Sequence, residues 1–334
     1  MTIKDIAKQA GVAPMTVSRA VNGQRGLSER TRKRILAIVR RSGWRPSMQA
    51  RGLVRGRSYT LGFLTNRINT SFTPQVLETI EEVAMEHRWW TLVMVSQGRA
   101  DYALRAFDEL ISRRVDGIIV GPVRLPRARL RAAIRKGVRI VSTYLSLDKE
   151  APVFGVDYEE VGRLAAEHLA GLGHRRGLYL HYAPDLTTDP FALQRWIGFQ
   201  RGGGSGFQTE TMSLEALGEK GLKTRLARGD LTAVFCQNDN GLPSVYRVAW
   251  ELGRAIPHDL SVIGCVDMEI ARQLSPKATT IEVAKHEVAR AAALAIIETP
   301  SKVAIEGRIF PPTLVIRDST ARVKDRAPIR RRPQ

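Results

Sequence analysis

From Tyr59 onward the chain alternates short apolar runs with longer stretches in which apolar residues return every third or fourth position. The runs YTLGFLT, WTLVMVS, VDGIIVG and VRIVSTY are separated by PQVLETIEEVAMEHR, YALRAFDELISRR and RARLRAAIRKG. The pattern resumes with EEVGRLAAEHLAGLG, RRGLYLHY, LQRWIGFQRG, LTAVFCQND and LSVIGCVD. Continuous apolar runs alternating with helical periodicity predict βαβ units in a parallel, doubly wound sheet, here twice in tandem. Folds of this kind bind small ligands beyond the carboxyl ends of their strands, in the crevice there.

The first 45 residues read differently. Thr2 followed by Asp5 is a capping-box start, and Ile3, Ile6, Ala7 and Ala10 then share one helical face. Gly11 ends that helix, and Pro14 suits the first position of the next, where its missing amide proton would have no partner anyway. In the second helix Val17, Ala20 and Val21 face inward, and Met15, Thr16 and Arg19 face out. A third helix begins at Ser28, runs through Ile35, Leu36 and Val39, and closes at Gly43. Three short helices around a small apolar centre, with an arginine on the outer face of the second, predict a helix-turn-helix that reads DNA.

The distribution of charge supports this reading. Of the net +19, residues 1–57 carry +12, with 14 Lys/Arg against only Asp5 and Glu29. Residues 321–334 carry +5, which leaves +2 for residues 58–320. A basic head on a nearly neutral body is the footprint of a module that neutralises phosphates. The 334 residues, 43% of them hydrophobic, supply core for two or three domains. No stretch of eighteen apolar residues occurs, so no membrane span is expected. Lys4, Asp5 and Lys8 interrupt the first helix, which is therefore no signal peptide; a cytoplasmic protein is expected.

The candidate chemistry of the body is sparse. Cys236 and Cys265 each end an apolar run and are expected as buried free thiols. His168, His174 and His181 lack the spacing of a metal pair, so neither metal nor cofactor is expected. RGGGSG at 201–206 lacks the Lys-Ser/Thr ending of a phosphate loop and follows a helical stretch, so it reads as a flexible connection. No nucleophile–base or paired-carboxylate constellation stands out, and the expectation is a non-enzyme. A periplasmic-type sugar-binding protein and a nucleotide-dependent enzyme are the alternatives; the first lacks a reason for the basic head, the second a phosphate motif.

The string IKDIAKQAGVAPMTVSRAVNG, with LSERTRKRILAIVRRSGWRPSMQARGLVRGRSYTLGF after it, resembles the start of the LacI/GalR family, and the resemblance continues to LVIRDST at 314–320. It implies an N-terminal all-α helix-turn-helix over 1–45 and a hinge over 46–58. An α/β two-lobed, periplasmic-binding-protein-like sensor and dimerisation domain follows over 59–320. The first lobe spans about 59–157 and 285–312, the second about 158–284 and 313–320, and a basic tail, expected to be disordered, fills 321–334. The implied protein is a repressor that binds near-palindromic double-stranded operator DNA as a homodimer and answers to a small-molecule effector.

The resemblance also implies roles for single residues. Pro14, Met15 and Arg19 match positions that reach base edges, Thr16 and Ser18 positions that hold phosphates, and Leu53 a wedge into the minor groove. Phe72 and Thr73 match effector positions of the first lobe, and Arg195, Phe235 and Asn238 of the second, with Asp157 and Tyr158 as further candidates. Asp239 reads as the cap of the helix after it. Val266 stands where many sugar-sensing relatives place an acid, Asp267 retains the second acid, and Val283 stands where Gln is common. These departures resemble the gluconate-repressor branch and point to a sugar acid such as gluconate; a neutral sugar or a nucleobase are the other effector classes.

Overall fold

A computed structural model describes residues 1–21, 23–44, 57–70, 72–143, 150–300 and 303–323. Leu53 with hinge residues 46–56, and the tail from 324, lie outside them. Two compact units emerge, one formed by the head and one by the body.

The head has three helices, α1 (Ile3–Ala10), α2 (Pro14–Val21) and α3 (Glu29–Ser42). Their ends follow from local chemistry. Thr2 and Asp5 form the capping box: the Asp5 amide donates to Thr2 Oγ1 at 3.3 Å, and the Thr2 amide to Asp5 Oδ2 at 2.7 Å. Gly11 and Gly43 end α1 and α3 in the left-handed region that glycine adopts without strain. Ser28 caps α3 by accepting from the Thr31 amide at 3.2 Å. Ile6, Ala7, Ala10, Val17, Ala20, Ile35 and Ile38 form the buried centre, with Val21, Val39 and Trp44 packed against it. Leu36 is only half-buried and Ile38 takes its place in the core, since a helix turns the inward face from 35 to 38.

The body holds two lobes. The first is a six-stranded sheet ordered β11-β5-β4-β3-β1-β2. Its strands are β1 (Thr60–Thr65), β2 (Trp90–Val95), β3 (Gly117–Val120), β4 (Ile140–Thr143), β5 (Val153–Val156) and β11 (Arg308–Phe310). Helices α4 (Thr73–Glu86), α5 (Ala100–Ser112), α6 (Arg127–Arg135) and α12 (Lys285–Glu298) belong to it. The second lobe is a parallel sheet ordered β7-β6-β8-β9, from β6 (Arg176–His181), β7 (Gln208–Ser213), β8 (Ala233–Cys236) and β9 (Ser261–Ile263). Helices α7 (Tyr158–Gly171), α8 (Pro190–Gly202), α9 (Leu214–Leu226), α10 (Leu242–Glu251) and α11 (Glu269–Gln273) belong to it. β10 (Thr280–Glu282) pairs antiparallel with β12 (Thr313–Val315), and around them the chain passes between lobes. The tandem βαβ pattern is the one read from the apolar runs. β7 escaped that reading because QTETMS is a polar sheet edge with no apolar run.

The glycine-rich stretch at 201–206 is more than a connection. Gly202 belongs to α8, and with Gly162 and Gly198 it lets α7 and α8 pack backbone to backbone. A Cβ at Gly198 would lie 1.8 Å from the Glu159 carbonyl oxygen, and one at Gly162 1.9 Å from that of Arg195. Both helices begin at aspartates. Asp157 Oδ1 accepts from the Glu159 and Glu160 amides, and Asp189 Oδ1 from those of Phe191 and Ala192. Cys236 and Cys265 are free and buried, as expected. Among the described residues, no helix is long and apolar enough to cross a membrane.

Candidate functional site

The head presents α2 outward. Met15 is 63% exposed, Pro14 and Arg19 are exposed, and Thr16 and Ser18 are half-buried. Val17 and Ala20 anchor the opposite face in the core shared with α1 and α3, which fixes the outer face. Lys4, Lys8, Arg25, Arg30, Lys33 and Arg34 are exposed cations of the same head.

In the body, a cavity of about 240 Å³ opens between the lobes at the carboxyl ends of their strands. Its first-lobe wall is Asn66, Arg67, Thr70, Phe72, Thr73 and Pro122. Its second-lobe wall is Tyr158, Phe191, Arg195, Gln237, Asn238, Asn240, Val266 and Met268, with Val283 from the crossing strands. The structure thus brings Phe72, Thr73, Arg195, Asn238 and Val266 to one cavity, and Tyr158 with them.

Phe235 is a correction. It is fully buried, 5.3 Å centroid to centroid from Tyr179 and 5.4 Å from Phe199, in the aromatic core beneath the cavity. Buried on both faces, its strand leaves only the residues just after it, Gln237 and Asn238, at the opening. Asp239 is also corrected. Asn238 makes the local cap, accepting from the Asn240 amide at 3.0 Å. Asp239, buried completely, accepts instead from the Met268 amide at 2.6 Å and the Thr280 hydroxyl at 2.8 Å, tying three chain segments together. Burial pushes its carboxyl up to about 7.

Arg195 is the charged centre of the cavity. Only 6% exposed, its guanidinium carbon lies 4.5 Å over the Tyr158 ring, which meets Phe191 edge-on at 5.0 Å. Burial works against the charge, but Cys265, Tyr179, Tyr158 and Asp189 together raise its pKa. Among the described residues no carboxylate forms an ion pair with it, and its buried Nε has no hydrogen-bond partner. Asp189, the nearest acid on its helix, is committed elsewhere: Oδ1 caps α8 and Oδ2 accepts from Gln237 Nε2 at 2.6 Å. On the opposite wall Asn66 Oδ1 is also buried and unpartnered. Thr70 holds the wall in place, accepting from the Thr73 amide and donating to its hydroxyl, both at 3.1 Å.

Val266 occupies costly backbone. Its φ is 95°, a region that β-branched residues avoid, and Asp267 follows at 53°. The turn is clamped on all sides. The Val266 amide donates to Ile281 O at 2.7 Å, and Lys285 Nζ, itself 2% exposed, donates to Val266 O at 2.9 Å. Asp267 does not line the cavity; it pairs with Arg317 at 2.7 Å and Arg272 at 2.8 Å. Asp157 remains a helix cap outside the lining. Sequence reading missed Asn66, Arg67, Thr70, Pro122, Phe191, Gln237, Asn240 and Met268. The signal for Asn66, Pro122 and Gln237 was available, because they follow the ends of β1, β3 and β8, where ligands bind in open α/β sheets.

Comparison with known proteins divides the chain in the same way. Residues 2–47 match the model for bacterial regulatory proteins of the lacI family. Residues 58–200 match periplasmic binding proteins and the sugar-binding domain of the LacI family, and 166–320 a periplasmic binding protein-like domain. The chain is 29% identical to the transcriptional regulator GalS of Salmonella typhimurium, over 96% of this chain and 97% of GalS. It is 28% identical to the repressor PurR of Vibrio vulnificus, over 96% and 99%. Its fold superposes on the lac repressor dimer bound to operator and an anti-inducer with TM-score 0.82 at 22% identity, over 96% and 99%. With a matching DNA-reading head, a matching two-lobed sensor and end-to-end relatives that are regulators and repressors, this chain belongs to the LacI family of transcriptional regulators.

Proposed function

We propose that the chain is an operator-binding repressor whose DNA affinity is set by a small sugar acid, such as gluconate, held at Arg195 between the lobes. One observation carries the ligand assignment: Arg195 is buried in the cavity wall with no carboxylate partner among the described residues. A buried charge left unpaired is costly, and an anionic ligand supplies the missing partner through the guanidinium's planar donor fork. Val266 supports the same choice, since an acid there would repel a carboxylate. Asn66, Gln237, Asn238 and Asn240 offer amides for hydroxyl groups.

In the head, Arg19 contacts a guanine edge, Pro14 and Met15 read by apolar contact, and Thr16 and Ser18 hold phosphates. The lac repressor is a dimer on its operator; we extend that assembly to this chain, on a near-palindromic site.

Calorimetry with gluconate, glucose and guanine tests the ligand reading. Gluconate is expected to bind tightest. The aromatic walls, Phe72, Tyr158 and Phe191, favour guanine as the competing outcome; tighter binding of guanine or glucose overturns the sugar-acid assignment.

A further inference from the structure

The charges around the cleft do not balance. Of the residues that line it, two are arginines and none is a carboxylate. They stand on opposite walls: Arg195 on α8 of the second lobe, buried, and Arg67 of the first lobe, just beyond β1 and exposed. A single negative group at Arg195 leaves Arg67 facing the same space without a counter-charge.

The first-lobe sheet sets the position of Arg67. Beyond the ends of β1 and β2 the Ser96 amide donates to Thr65 O at 2.9 Å and the Gln97 amide to Asn66 O at 2.8 Å. A Cβ at Gly98 would lie 3.9 Å from a terminal nitrogen of Arg67, so the guanidinium sits beside this turn. The acid that follows the turn, Asp101, is taken by Arg99 at 2.8 Å, and among the described residues Arg67 has no ion-pair partner. On the second lobe Asp185 accepts from the Thr187 amide at 2.8 Å and its hydroxyl at 2.9 Å, and Asp189 is committed to α8 and Gln237. Arg124, two residues past the lining Pro122, adds a further exposed cation to the first lobe and donates to Thr188 O of the second at 3.4 Å.

Positive charges that share one partly buried cavity raise each other's cost, and a neutral or singly charged ligand leaves part of that cost in place. The polar lining also offers donors. Asn238 Oδ1 is used by the Asn240 amide, so the Asn238 NH₂ group is what remains for ligand oxygens. The cavity volume, about 240 Å³, suits one sugar-sized molecule rather than a drug-sized one.

Resting on the sugar-acid reading, we infer that the ligand carries an anionic group at each end of its hydroxylated chain, one held by Arg195 and the other by Arg67, so that it bridges the lobes. The second group is a carboxylate, as in an aldaric acid, or a phosphate, as in a phosphorylated aldonic acid, and titration separates the two. Glucarate, 6-phosphogluconate and gluconate are titrated separately into the full chain at pH 7.5 and one fixed salt concentration, followed by calorimetry. One of the two multiply charged acids is expected to bind at least about tenfold tighter than gluconate, and which one does so names the second group. Arg67→Ala, at an exposed position, is expected to bring that acid to within about twofold of gluconate, with the melting temperature of the free protein unchanged. The inference is overturned if gluconate binds as tightly as both other acids. It is equally overturned if Arg67→Ala weakens all three by the same factor, which makes Arg67 a contact to the end that the ligands share. Both outcomes leave the sugar-acid reading standing; if none of the three acids binds, that reading fails and this inference with it.

Discussion

The head and the cleft are built on opposite plans. In the head each helix end is decided within a few residues, by Thr2 with Asp5, by Gly11, by Ser28 and by Gly43. The reading face of α2 lies opposite Val17 and Ala20, which pack into a core drawn from three neighbouring helices. The cleft collects side chains from Asn66 to Val283 and sets Val266 in backbone that its side chain disfavours, held there by Lys285 and Ile281. A DNA-reading surface needs one rigid face. A sensor needs two lobes whose joint stores enough strain to have a second arrangement.

The largest effect that separates the two regions is expected at Arg195. Arg195→Ala removes the only buried cation among the described cavity residues, and gluconate affinity is expected to fall about 100-fold or more. Calorimetry measures the loss, and affinity for random DNA should not change with it. Next is Gly198→Ala, which places a methyl group 1.8 Å from the Glu159 carbonyl oxygen and forces α7 and α8 apart. A loss of about 3 kcal/mol is expected. Hydrogen exchange resolved by segment should place it in the second lobe; equal loosening of residues 3–42 would break the distinction between the regions.

Arg19→Ala acts on the other side of the comparison. It is expected to cost about 1–3 kcal/mol on a selected operator and to flatten sequence preference, with gluconate affinity unaltered. Fluorescence anisotropy on operator and on random duplex decides it, since equal weakening on both would make Arg19 a phosphate contact.

The two regions were unequally legible in the sequence for the same physical reason. Caps, breakers and helical periodicity are local, so the head could be read almost residue by residue, Leu36 against Ile38 being the slip. The βαβ order of the body was equally plain from its apolar runs. What escaped was long-range: Asp189 bridging to Gln237, Asp239 reaching Met268 and Thr280, and the glycine faces that fuse α7 to α8. Phe235 was misplaced because position at a strand end does not say whether a side chain enters the opening or the core below it. Arg195 was found through family position, and its burial without a carboxylate is visible only in three dimensions.

A smaller effect sharpens the account of Asp239. Its carboxyl is raised from 3.8 to about 7, so the stability it contributes is fully present below about 4 and is lost as pH rises through about 7. His174 acts in the opposite sense, being lowered from 6.5 to about 4: its contribution is present above 6.5 and is lost as pH falls. Subtracting the two proteins isolates Asp239. Asp239→Asn can still accept from the Met268 amide and donate to Thr280, and relative to the native chain it is expected to gain stability as pH rises from 4 to 8. Urea denaturation across that range checks the sign; a constant difference contradicts it.

The central claim, that the ligand at Arg195 controls the reading of DNA by the head, is tested most directly by operator affinity at one fixed salt concentration. An operator is selected from random-sequence duplexes, and its Kd is measured with and without saturating gluconate for the native chain and for Arg195→Ala. The account predicts that gluconate shifts the native Kd by at least about fivefold, glucose much less, and that Arg195→Ala binds operator normally but does not respond. An equal response of both proteins, or none in the native chain, would contradict it.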